Sequence, residues 1–210
     1  MAACLLTACG GGGGSSDPAP AAPNKLVVIG NSITLYAPNP SVGWTGNWGL
    51  ASTTQAKDYA HLVGAGLGLP VTPFNVAPLE NDPTRTDLII SSTAPIDERT
   101  DVIVEIGENA VSGGSPAFTT SYNALLDAVV AQGAHSLVCL SDYWADPPKD
   151  AVKKTACEAH GGTFVDISGI YYANMDAIPS GENPAISAHP HDLSMAAMTK
   201  LILAAVKTPT

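Results

Sequence analysis

The sequence predicts an α/β protein: a three-layer α/β/α sandwich around a central, mostly parallel five-stranded sheet. Three observations lead there. Five short apolar runs punctuate the chain, and none shows the strict alternation of a half-exposed strand, so each reads as buried on both faces. Stretches with apolar residues at helical spacing separate the runs, and that β-α alternation is the chain pattern of a parallel sheet flanked by helices. The 210 residues suffice for one core that removes roughly 70% of the unfolded surface from water.

Leu26-Val27-Val28-Ile29 is a continuous apolar strand, and Phe74-Asn75-Val76-Ala77 a weaker one. Val102-Ile103-Val104-Glu105-Ile106, Leu137-Val138-Cys139-Leu140 and Phe164-Val165-Asp166-Ile167 complete the set. Between the first two strands, Ser52 and Gln55 fit a capping box ahead of Ala56, Tyr59, Ala60, Val63 and Leu67 on one helical face. Asp82-Pro83 is expected to start a short helix through Leu88 and Ile89. Ser115-Pro116 opens a longer one, with Phe118, Tyr122, Leu125, Leu126, Val129 and Val130 inward and Gly133 as the stop. A helix runs from Pro147 to His160. Asp192 is expected to cap the last, whose face is Met195, Met198, Ile202 and Ala205.

Charge narrows the function. The 9 Lys and Arg against 19 Asp and Glu leave a net charge of −10, which argues against binding nucleic acid or anionic lipid headgroups. Residues 1–23 read as an address and a tether, and residues 24–210 as the folded domain. Leu6-Thr7-Ala8-Cys9 resembles a bacterial lipobox, in which the Cys carries the lipid, and a Gly/Ser then Pro/Ala-rich stretch follows it. No Lys or Arg precedes Lys25, so the start of the signal segment is expected upstream. The expected compartment is the bacterial envelope, lipid-anchored or periplasmic, with membrane contact only through an anchor at Cys9. In such a compartment Cys139 and Cys157 read either as a disulfide or as two small buried apolar residues. The chain has no Cys-x-x-Cys zinc motif.

In open parallel sheets ligands bind beyond the carboxyl ends of the strands, so the residues just after each strand matter most. After the first comes Gly30-Asn31-Ser32, which aims a hydroxyl at the cleft. After the third comes Gly107-Glu108-Asn109, whose Asn offers an N–H donor of the kind an oxyanion hole needs. Before the last helix comes His189-Pro190-His191-Asp192, with Pro190 stiffening the approach. In isolation, Gly-Asn-Ser and the Asn read as turn residues. His189 and His191 also permit a metal reading, but no further cluster has ligand spacing, so no metal or other cofactor is expected. His61, His135 and His160 read as structural.

In this order, Gly30-Asn31-Ser32, Gly107-Glu108-Asn109 and His189-Pro190 resemble the sequence blocks of the SGNH/GDSL hydrolase superfamily over about residues 25–206. The bacterial branch it is most similar to continues Ile33-Thr34 after the serine and carries a Gly43-Trp44…Asn47-Trp48-Gly49 segment. The resemblance implies a flavodoxin-like sheet and a serine esterase working through an acyl-enzyme. Ser32 would be the nucleophile and His189 the base, with an ordinary imidazole pKa of about 6.5. The amides of Ser32 and Ala77 and the side chain of Asn109 would form the oxyanion hole. Asn31, Gly107, Glu108 and Glu80 would support them. Two positions depart from the pattern: Ala77-Pro78 stands where a glycine is usual, and Ile186 where the orienting acid stands three residues before the histidine. Glu80, Glu108, Glu182 and Asp192 are candidates for that acid, or the base is oriented by a backbone carbonyl. Tyr36, Trp44 and Trp48 follow the nucleophile and are expected either to wall a sugar-binding pocket or to pack the loop. The expected partner is a small-molecule or glycan ester, with O-acetylated carbohydrate preferred over a lysophospholipid or short-chain ester. A glycan-binding lipoprotein whose chemistry has lapsed is the non-enzyme alternative.

Overall fold

A computed structural model describes residues 21–206. Five strands, β1 (Lys25–Gly30), β2 (Val71–Asn75), β3 (Thr100–Glu105), β4 (Ser136–Leu140) and β5 (Thr163–Val165), form one sheet in the order β2-β1-β3-β4-β5. Every pairing is parallel, with Gly30 opposite both Asn75 and Glu105. The helices are α1 (Tyr59–Leu67), α2 (Thr86–Thr93), α3 (Pro116–Ala131), α4 (Pro147–Ala159), α5 (Gly169–Ala173), α6 (Pro184–Ser187) and α7 (Asp192–Val206).

Alternate residues of each strand enter different cores, because successive side chains of a strand point to opposite faces. Val27, Ile29, Val102, Val104 and Cys139 pack with α2, α3 and α4. Leu26, Val28, Ile103, Val138 and Leu140 pack with α1, α5 and α7. This is the expected three-layer sandwich. The strand order reverses between β1 and β3, the switch point where a crevice opens beyond the carboxyl ends.

Several element ends differ from the sequence expectation for local reasons. β2 begins at Val71 and holds Pro73, which a central strand would reject but an edge strand tolerates. Residues 55–57 form a 3-10 turn, and α1 starts only after Asp58, whose side chain caps it by accepting from the His61 amide. Asp82 closes a local turn on Thr84, so α2 begins at Thr86. Ser115 caps α3 on the Phe118 amide as expected, although Val130 is exposed. The start of α7 is held by Asp176, which accepts from the amides of His191, Leu193 and Ser194. Asp192 turns away to Thr53 and Lys57.

A disulfide joins Cys139 of β4 to Cys157 of α4, with both residues fully buried. It pins α4, the carrier of Lys149 and Lys153, to the sheet. Closing a loop of 18 residues should stabilise the domain by about 3 kcal/mol, mainly by restricting the unfolded chain. Replacing both cysteines with alanine should therefore lower the unfolding free energy by about that much, as measured by urea denaturation. An unchanged midpoint would show that the crosslink adds nothing.

Candidate active site

β1 ends in a turn built around Asn31. The fully buried Asn31 side chain accepts from the Ile33 amide at 2.9 Å and donates to Glu80 at 3.2 Å and Glu105 at 3.4 Å. Its backbone carbonyl accepts from Thr34 and Leu35. Gly30 must be glycine because a Cβ there would lie 1.9 Å from Thr34 Oγ1 and 2.8 Å from the Glu105 carbonyl oxygen. Ser32 is thus lifted, half-buried, above the junction of β1 and β3.

At the other end of the chain, the short α6 delivers His189. Ser32 Oγ lies 2.8 Å from His189 Nε2, so two residues 157 positions apart share a proton. The Trp144 ring meets the imidazole at 87° with centroids 5.2 Å apart, and its Nε1 donates to the Ala188 carbonyl at 3.1 Å. His189 Nδ1 is buried and makes no well-formed hydrogen bond. Burial pushes the imidazole pKa down to about 4; the Ala185 carbonyl acts in the opposite sense, and the charge of His191 adds to the lowering. The near-neutral base expected from the sequence is therefore corrected to a weak base, neutral from about pH 4 upward.

None of the four candidate acids reaches this ring. Glu80 binds Asn31 and the Asn109 amide. Glu108 accepts from the Tyr143 amide, Glu182 from His191, and Asp192 from Thr53 and Lys57. Ile186, at the position of the missing acid, is buried against Trp44, Leu50 and Ala51. That small core also decides the role of the aromatic loop. Trp44 and Trp48 contact edge-on at 5.6 Å, and their N–H groups donate to the backbone carbonyls of Tyr36 and Ser52. Both indole N–H groups are thereby occupied in holding the loop. A cavity of about 580 Å³ borders them, lined also by Thr45, Thr53, Glu182, Asn183 and His191. Neither Ser32 nor His189 lines it.

Two of the three expected oxyanion donors are free. Among the described residues nothing accepts from the Ser32 amide or from the exposed Asn109 side chain. The Asn109 backbone is clamped instead, its N–H donating to Glu80 and its carbonyl accepting from Asn81 at 2.7 Å. Ala77 is a correction. Its amide donates to Asn75 Oδ1 at 3.0 Å inside a side-chain turn, and Pro78 has no N–H to take its place.

Beneath the Asn109 loop lies a charge network that the sequence reading missed. Lys153, fully buried, lies 2.6 Å from Asp142, which also takes Lys149 at 2.7 Å. Lys149 also donates to the Gly107 carbonyl at 2.7 Å. Gly107 has φ +140°, and a Cβ there would lie 2.4 Å from Asp142 Oδ1, so only glycine fits. Burial pushes the Glu108 carboxyl up to about 8, reinforced by Asp142 and opposed by Lys153. Glu105 is raised well above the carboxylate range by burial and then by the charge of Glu108. Both acids favour their neutral forms, so Glu105 can sit under Asn31 and Thr34 without a full charge in the core. The signals were a Glu inside an apolar strand and two lysines four apart on α4.

Fold and site together define a parallel α/β protein with a serine–histidine pair at the switch point of its sheet. No protein-family model and no curated protein matches the chain. Solved structures do match its fold. The acetylxylan esterase Axe2 from Geobacillus stearothermophilus is 14% identical with a TM-score of 0.57, over 90% of this chain and 97% of that one. An extracellular lipase from Streptomyces rimosus is 16% identical with a TM-score of 0.53, over 89% and 100%. A G-D-S-L family protein from Desulfitobacterium hafniense is 12% identical with a TM-score of 0.55, over 87% and 99%. The chain has the SGNH hydrolase fold.

The depressed His189 pKa sets a pH expectation. The ring accepts a proton only when neutral, so kcat/KM should fall only as pH drops through about 4, with no acid limb near pH 6.5. A pH–rate profile from 3 to 8 checks this, and a limb at pH 6–7 would mean the imidazole is better solvated than its burial implies.

Proposed function

We propose that the protein is a serine esterase that hydrolyses carboxylic esters through an acyl-enzyme. The hydrogen bond from Ser32 Oγ to His189 Nε2 at the switch point carries this reading. The esterase and lipase activities named for the structural neighbours agree with it.

The chemistry follows from the geometry. His189 Nε2 takes the Ser32 proton as Oγ attacks the ester carbonyl. The Ser32 amide and the Asn109 side chain donate to the oxygen that becomes negative. His189 then protonates the leaving alcohol, and water releases the acid by the reverse path. No carboxylate backs the imidazolium, so its positive charge relies on the Ala185 carbonyl and on correct placement of the ring.

The preferred substrate class is an O-acetylated carbohydrate. Support comes from the acetylxylan esterase among the neighbours and from the 580 Å³ cavity with polar groups beside the Trp44–Trp48 loop. The Leu50 amide ties that loop to the Ser32 carbonyl at 2.9 Å. The unpartnered His189 Nδ1 favours the alternative of a lapsed, glycan-binding protein, and chemistry at Ser32 separates the two. A fluorophosphonate probe should label the wild type and not Ser32→Ala, and Ser32→Ala should lose aryl acetate hydrolysis. Asn109→Ala should lose about 10²–10³ in rate, the weight of one oxyanion donor. Folded wild type that resists the probe would leave the binding module.

An envelope address is part of this reading. Cys9 lies outside the described residues, so its support is the Leu6-Thr7-Ala8-Cys9 sequence and the buried Cys139–Cys157 disulfide, which suits an oxidising compartment. Expressed in bacteria behind a complete leader, the chain should fractionate with membranes and Cys9→Ser should become soluble. Equal partitioning of the two would remove the anchor.

A further inference from the structure

His189 Nδ1 lacks a partner, yet the main chain of the residue is held from two sides, its N–H donating to the Ile186 carbonyl at 2.8 Å. His191 Nδ1 lies 3.0 Å from the His189 carbonyl oxygen, and His191 Nε2 lies 2.8 Å from Glu182 Oε2. The His191 ring thus bridges the His189 main chain to the Glu182 carboxyl. The side chain is buried, which holds both bonds away from competing water. On the same segment, Asp176 accepts from the His191 amide at 3.0 Å.

We infer that His191 and Glu182 are positioning residues that lock the His189 backbone so that its imidazole meets Ser32 without an orienting acid. This rests on the serine-esterase reading and extends it to two residues outside the reacting pair. Glu182, on the loop before α6, holds one edge of the His191 ring, and the other edge meets the His189 carbonyl, so losing either contact loosens the turn that carries the base. Asp176 holds the His191 main chain from the loop after α5.

The test uses the full chain and two independent readouts, aryl acetate turnover and the melting temperature. His191→Phe, which removes both ring contacts, should lower kcat by about 10²-fold, the scale of a small misplacement of a catalytic group, with KM little changed. Glu182→Ala should lower kcat in the same direction, and Glu182→Gln, which keeps a side-chain oxygen as acceptor, should recover most of it. A melting temperature that falls in His191→Phe while kcat stays intact would mean the pair only stabilises the fold, and would overturn the inference. Loss of fluorophosphonate labelling in Ser32→Ala with hydrolysis intact would instead overturn the esterase reading.

Discussion

The hydrogen bond between Ser32 and His189 closes a circuit between the first strand and the segment before the last helix, 157 residues apart. Neither side chain is stiff enough to hold 2.8 Å unaided. At the serine end the cost is met inside the core: Asn31 spends its amide on Glu80 and Glu105, and Gly30 lets the Glu105 backbone pass close beneath. At the histidine end the restraint lies on the main chain, through His191, Asp176 and the Trp144 bond to Ala188. The site is two preorganised turns set against each other, and the sandwich exists to hold that distance.

Charge placement follows the same logic. Buried carboxyls are tolerable when protonated or paired, and both solutions occur within one region. Glu105 and Glu108 are pushed toward neutrality, whereas Asp142 stays matched by Lys149 and Lys153. The lysine pair also fastens the Gly107 turn through its carbonyl, so the loop presenting Asn109 is anchored by buried ions and by Glu80. Removing one member would strand a charge in the core, which is why such networks tend to fail as a unit.

The absence of an orienting acid has a local cause. Position 186 faces the small core of Trp44, Leu50 and Ala51, where a carboxylate would be desolvated and unpaired. The loop after Ser32 thus has an apolar anchor at position 186. One consequence is that burial lowers the basicity of His189 with no carboxylate to oppose it. Another is that the indole N–H groups hold the loop's own backbone while both rings still line the neighbouring cavity.

The amino-acid order alone determined the layers. Short apolar runs without alternation read as doubly buried strands, and helix-period stretches between them call for parallel crossovers, so the sandwich was legible from Leu26 to Ala205. It also marked Ser32 and His189, whose side chains the fold brings within 2.8 Å, because turn chemistry at element ends is local. What sequence could not reveal depends on groups distant along the chain meeting in a solvent-poor interior. That Ala77 already spends its amide on Asn75, that Asp176 rather than Asp192 holds the last helix, and that Glu182 serves His191 are outcomes of competition among many acceptors. The ionisation of His189, Glu105 and Glu108 belongs to the same class, since desolvation is a property of the packed surroundings and not of the residue.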